Sequence, residues 1–281
     1  NVFSTAGIDY SENQDIVALT VDMVEEERAD SVYILTSPEG VTYNSTTQLT
    51  GLGFSSVSTF SAEDMVDLLD VADLDSNYTA TYWPWIQSRD TENSLNVWLP
   101  PTYEVVRNIA LTDNVSFPWF ASAGYTRGLT SAIQARVKLT EDQRDTLYEG
   151  RINPMATFSD QGVVIWGNKN LQVKDSALDR LNIRRLLLQT RKLISAVAVR
   201  LLFEQNDQIV RNQFLTLVNP ILENIKRERG LADFRVQLSS DPEEIDRNEL
   251  RGKIFLKPVP SLEFIILEFN VTNTGASFDD I

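Results

Sequence analysis

Three consecutive segments limit the architecture before anything else does. "SVYILTSPEG" (31–40) is an apolar, β-branched run closed by Pro38 and Gly40. "FSAEDMVDLLDVAD" (60–73) sets Met65, Leu68, Leu69 and Ala72 at helical spacing behind a Ser61 cap, with Asp64 three residues on. "NYTATYWPW" (77–85) is extended and aromatic, and Pro84 breaks it. Strand, helix, strand in that order predicts a sheet with helices layered on it, an α/β or α+β arrangement.

The rest of the chain extends this reading. "LPPTYEVVRNIALTDN" predicts a helix entered through prolines and stopped at Asp113-Asn114. "SAIQARVKLTEDQRDTLYEGRINP" predicts a strand and then a helix capped by Thr140, and "GVVIWG" a short buried strand. A long helix spans Ser176 to Phe203, and a second, "DQIVRNQFLTLVNPILENIKRERG", bends at Pro220 and stops at Gly230. "DFRVQLSS", "LRGKIFLKP" and "SLEFIILEFNVT" are strand-like runs. The expected fold class is mixed α/β (α+β): a sheet flanked by helices, with a long helix pair followed by C-terminal antiparallel strands. Three regions are expected: an acidic N-terminal segment (1–30), an acidic α/β half of the core (31–150) and a charge-balanced half (151–281). The chain begins at Asn1 rather than Met and reads as cut from something longer.

Charge and two missing residue types narrow the function. The net charge of −15 resides entirely in residues 1–130, which hold 19 acids and four bases, while residues 131–281 hold 21 of each. A nucleic-acid binder shows the opposite sign. With no Cys and no His, thiolate chemistry, zinc-thiolate clusters, Ser-His-Asp triads and imidazole acid/base catalysis are excluded. No apolar run approaches the ~20 residues that cross a bilayer, so no membrane insertion is expected. "GVVIWGNK" imitates a phosphate loop, but Asn168 displaces the lysine. A calcium loop opening at Asp73 fails at Tyr78, where glycine is required. Glu63, Asp70, Asp73 and Asp90 lie in sequence near Tyr82, Trp83 and Trp85, the ingredients of a carboxylate-dependent glycan-binding or glycan-hydrolysing site. The competing reading is a solvated helix face beside an aromatic core strand.

"LDRLNIRRLLLQTRKL" (178–193) gathers Arg180, Arg184, Arg185, Arg191 and Lys192 around one acid, Asp179. At about 100° per residue, Ile183, Leu186, Leu187, Leu193, Ile194, Val197 and Leu201 form a core-facing arc. Arg184, Arg185, Gln189, Arg191, Lys192 and Arg200 take the other side, where Leu188, Val199 and Leu202 intrude. Arginines mixed with aliphatics suit a protein interface, through packed anchors and carboxylate pairing. The alternative is coverage by the acidic half of the same chain. In the last strand Leu262, Phe264 and Ile266 alternate on one face and Leu267, Phe269 and Val271 on the other, so it is buried twice or pairs with another copy. The candidate interface residues are therefore Arg184, Arg185, Leu188, Arg191, Lys192, Arg200, Phe264, Ile266 and Phe269, with no catalytic, cofactor or metal residues among them.

Several stretches together, in order, resemble the contractile-tail sheath proteins of myophages and contractile injection systems: "TATYWPWIQSRD", "WLPPTYEVVRNIALTDN", "INPMATFSDQGVVIWGNKNL", "LDRLNIRRLLLQTRKLI", "RGLADFRVQ", "IDRNELRGKIFLKPVPSLEFIILEF" and "TGASFDDI". The match covers Tyr78 to Ile281, and residues 1–77 follow more loosely. The resemblance implies a structural protein with no enzyme activity and no cofactor. Its partners would be other copies of the sheath subunit in stacked six-fold rings, the tail tube protein and the baseplate. It further implies a location in the virion after assembly in the host cytoplasm, and terminal arms that add strands to neighbouring subunits. An arm and outer domains are expected before Asn1.

Overall fold

The computed structural model describes residues 2–43, 57–239, 247 and 249–263. Strand β1 (Val2–Asp9) leads into α1 (Gln14–Asp22), which continues as a π turn over Met23–Arg28 before β2 (Val32–Thr36). Strands β3 (Val41–Tyr43) and β4 (Val57–Thr59) pair with each other ahead of α2 (Ala62–Val71) and β5 (Thr79–Trp83). A hairpin of β6 (Ile86–Asp90) and β7 (Leu95–Leu99) is followed by α3 (Thr102–Val115), the single turn α4 (Gly124–Arg127), β8 (Gln134–Ala135) and α5 (Glu141–Glu149). Then come β9 (Ile152–Phe158), β10 (Gly162–Ile165), the helix pair α6 (Leu181–Ala198) and α7 (Gln208–Arg227), and finally β11 (Leu231–Leu238) with β12 (Gly252–Pro258).

The central sheet has the order β1-β2-β5-β9-β10, parallel except for β10. Every residue of β2 and β5 is buried, as a parallel sheet covered on both faces requires. The period of two sorts their side chains: Tyr33, Leu35 and Trp83 enter a core shared with α1, α2 and α5, whereas Val32, Ile34, Ala80 and Tyr82 enter one shared with α3 and α6. A third core, Leu186, Phe214, Val218, Leu222, Ile225 and Trp119, joins the helix pair to the inner face of the β11–β12 ribbon.

Helix starts follow the expected chemistry. Ser61 with Asp64, and Thr140 with Gln143, form reciprocal capping boxes, and the Asp207 carboxylate accepts from the Val210 amide. Pro220 lies inside α7 without ending it, and α6 begins at Leu181 instead of Ser176 because residues before it are held as a loop. Asn170 accomplishes this by donating to the Leu178 carbonyl at 2.5 Å. Strand β1 was not expected from residues 1–30, where a left-handed Gly7 and a register shift after Ser4 obscure the pattern. That strand joins the segment to the main sheet. Gly40 has φ +72°, and a Cβ there would sit 2.9 Å from Nε1 of the buried Trp83, so only glycine fits. Truncating Leu147, the fully buried residue of α5 in the core that α5 shares with α2 and the sheet, to alanine is expected to cost about 2–5 kcal/mol in urea unfolding, with the spread set by how far the cavity collapses.

Candidate subunit interface

The basic helix α6 is covered on two sides along its first half. Leu181 and Leu188 pack towards the sheet, Leu186 packs towards α7, and Ile183 is buried. Arg184 and Arg185, predicted to face outwards, are only 8% and 5% exposed. Their charges are answered inside the chain. Arg185 donates from Nη2 to both oxygens of Asp113, at 2.5 and 2.6 Å, tying α6 to the end of α3. Arg184 donates to Oδ1 of Asn77, and its guanidinium lies 4.0 Å from the centre of the Tyr78 ring. Burial pushes the Arg184 pKa down, partly offset by Tyr78 and Glu25. The acidic half of the same chain thus takes the two arginines, and Leu188 belongs to the core.

The outward surface narrows to the far end of α6. Arg191, Lys192 and Arg200 are exposed, Arg191 donating to the Ala29 carbonyl at 3.2 Å. Around Arg200 lie Val199 (64% exposed), Leu202 (62%) and Phe203, which is fully exposed with φ +71°. Across the turn α7 opens with exposed Ile209. Large apolar groups held clear of the core at one tip are what an interface uses. The intrusion of Val199 and Leu202 among the basic residues was the signal for this patch; Phe203 carried none. Phe264, Ile266 and Phe269 lie outside the described residues.

Two further features escaped the sequence reading. Four buried asparagines stitch the loop between β10 and α6 to its surroundings. Asn153 donates to the Thr81 and Lys169 carbonyls, and Asn168 donates to Oδ1 of Asn182 at 2.7 Å. Asn182 in turn reaches the Trp119 carbonyl and Ser261, and Asn170 reaches Asn77. Asn168, the residue that spoils the phosphate-loop match, is part of this seam. Beside it Arg180 grips Glu263 through two bonds of 2.7 and 2.8 Å, and Tyr148 donates to the same carboxylate at 2.9 Å. Burial, reinforced by Glu263, pushes the Tyr148 phenol well above its ordinary range, which keeps it a donor.

The ribbon of β11 and β12 pairs with no third strand among the described residues. Its inner face, Phe234, Val236, Leu238, Ile254 and Leu256, packs on the third core, and Phe255 points outwards, 52% exposed. Both outer edges are templates for added strands.

The glycan alternative loses its platform, because Tyr82 and Trp83 are buried at 3% and 0%. Asp70 is paired with Arg151 at 2.8 Å, and Asp90 organises the β6–β7 turn by accepting from Glu92 and Asn93. Among the described residues no group of acids could hold a metal ion, and no helix is long and apolar enough to cross a membrane.

The layered sheet, helix pair and ribbon are a sheath-type fold. The chain aligns over 96% of its length with the sheath complex of an extracellular contractile injection system in its contracted state, covering 70% of that chain at TM-score 0.74 and 23% identity. The contracted helical sheath of the anti-feeding prophage matches over 96% of this chain and 69% of its own at TM-score 0.70 and 20% identity. In sequence, residues 3–171 match the phage tail sheath protein central domain and residues 173–272 the phage tail sheath C-terminal domain. The chain belongs to the phage tail sheath protein family. It is 34% identical over 276 residues to the tail sheath protein of Vibrio phage KVP40, and 33% identical over 214 residues to that of Enterobacteria phage T4. Those alignments cover 93% and 75% of this chain but 40% and 31% of the two relatives.

Replacing Arg185 with methionine strands Asp113 and removes a charged hydrogen bond, so it is expected to cost about 1.5–3 kcal/mol. Arg191→Met and Lys192→Met should stay within about 0.5 kcal/mol of the parent in the same urea titration.

Proposed function

We propose that this chain is a structural subunit of a contractile tail sheath, which self-assembles as stacked six-fold rings around a tail tube and shortens to drive the tube through the host envelope. The reading is structural rather than enzymatic, with no cofactor. Its partners are other copies of the subunit, the tail tube protein and the baseplate, and its place is the virion, after assembly in the host cytoplasm. The observation that carries it is the family match across residues 3–272 on a fold whose ribbon leaves both edges unpaired among the described residues. Such a ribbon accepts a neighbour's extended arm through main-chain hydrogen bonds, which hold while subunits turn against one another. The solved sheaths it resembles are themselves assemblies, one a sheath complex and another a helical sheath, both contracted.

The tip formed by Arg191, Lys192, Arg200, Val199, Leu202 and Phe203 supplies the outward contact, with apolar anchors inside a basic rim. It meets carboxylates on a neighbouring subunit or on the tube. An exposed ion pair is worth only about 0–1 kcal/mol, so its strength lies in repetition across a lattice. The energy of contraction is stored in a metastable extended lattice.

Negative-stain electron microscopy of the whole protein expressed alone tests the reading, with hollow tubes expected. Discrete particles at every salt and concentration would count against self-assembly. Arg191→Glu combined with Lys192→Glu and Arg200→Glu should abolish tubes while leaving the circular dichroism spectrum unchanged. Tubes that persist would remove the α6 tip from the lattice contact.

A further inference from the structure

A groove of about 640 Å³ opens at the β9–β10 edge of the sheet, lined by Pro154 of β9 and Trp166 just past β10. Trp119, Phe120 and Trp166 provide its apolar lining, and Arg127, Arg144 and Arg229 its positive charge. The first two arginines are steered by carbonyls and rings. Arg127 donates to the Ala121 carbonyl over Phe120, and Arg144 to the Leu139 carbonyl over Phe158. Among the described residues none of the three forms an ion pair, although Arg28, Arg107, Arg136, Arg151, Arg180 and Arg185 all do. Two carboxylates also border the groove: Glu263, already matched by Arg180, and Asp145. In a chain carrying −15, three unmatched arginines around one apolar hollow select a negatively charged partner with apolar knobs.

Helix α1 is such a surface. Val17 and Val21 are buried, while Ile16 is 47% and Leu19 is 69% exposed, three residues apart on the outer face. Asp15 and Asp22 bracket them, both exposed, and flank Leu19 at spacings of four and three residues on the same face. The stripe is acidic with two aliphatic anchors, the form that an amphipathic helix presents to a groove. Helix α1 packs against β1, the outermost strand at the opposite edge of the sheet. Four inter-strand steps separate the edges, roughly 19 Å at ordinary strand spacing, so one copy cannot seat its own α1 in its own groove.

We propose that copies of this chain pack head to tail, with Ile16 and Leu19 of one seated among Trp119, Phe120 and Trp166 of the next, and with Asp15 and Asp22 meeting Arg127, Arg144 and Arg229. The contact rests on the self-assembly reading and deepens it by naming two surfaces apart from strand exchange and from the α6 tip. It is heterologous, because donor and acceptor differ, and such a contact repeats into a ring or a helix.

The chain has no cysteine, so introduced ones report without background. Leu19→Cys and Ala123→Cys, the latter at the groove lining, are placed in separate preparations, mixed and oxidised. Covalent heterodimers are expected about tenfold faster than with Gln213→Cys, an exposed control on α7, and high salt should erase the difference. Adding Asp15→Arg and Asp22→Arg to the first partner should abolish the excess, and Arg127→Asp with Arg144→Asp in the second should restore it. Crosslinking no faster than the control, or indifferent to the charge swap, would overturn the contact. Capture of some other protein by Ala123→Cys without capture of Leu19→Cys would overturn α1 as the occupant. Because heterodimers are read in mixed subunits, the result stands apart from tube formation: tubes without crosslinks sink this contact alone, while crosslinks without tubes keep it and sink the sheath reading.

Discussion

Everything in this fold depends on covering both faces of β2 and β5. Two adjacent parallel strands with no solvent face must be sandwiched, because their apolar side chains alternate between two cores. Helices α1, α2 and α5 answer one face, and α3 and α6 the other. Since α6 also has to meet α7 and the ribbon, it is enclosed twice. An enclosed helix cannot leave its arginines idle, because an unmatched buried charge costs far more than a paired one. Arg185 is therefore paired with Asp113, and Arg184 is held without a carboxylate by the Asn77 amide oxygen and the face of Tyr78.

That chain of dependence separates what the sequence disclosed from what it could not. Periodicity and caps are local, so the strands at 31–40 and 77–85, the capped helices α2 and α5 and the helix pair could be read directly. The aliphatic arc of α6 was visible too, except that Leu193, placed in it, is exposed and Leu188, placed outside it, is buried. What hid was the coverage of its other side, because that depends on where α3 and the Asn77 loop come to rest. The acidic half was recognised as a rival for these arginines, yet only the fold selects Asp113 from 19 acids. Strand β1 and the β6–β7 hairpin were missed for a simpler reason. Gly7 and the polar run Asp90 to Ser94 blur the alternation that marks a strand.

The exposed groups follow the opposite rule. Val199, Leu202 and Phe203, and likewise Ile16 and Leu19, stay outside although burial would stabilise each by about 1.5–3 kcal/mol. Each set lies next to charge, basic at the α6 tip and acidic on α1. The molecule thus presents different chemistry at separate places, which is what the proposed contact between copies requires.

The asparagine seam has a consequence for how such a particle responds to its medium. Across the boundary between the central-domain and C-terminal-domain portions, Asn168 donates to Asn182, Asn182 to the Trp119 carbonyl and Asn170 to the Leu178 carbonyl, all through neutral amides, which neither titrate nor attract counterions. The contacts proposed between copies are built from carboxylates and guanidinium groups, which dissolved ions weaken. Ionic strength is therefore expected to loosen the proposed contacts between copies before it loosens the subunit, whose amide seam is indifferent to salt and whose ion pairs Arg185–Asp113 and Arg180–Glu263 are sheltered by burial.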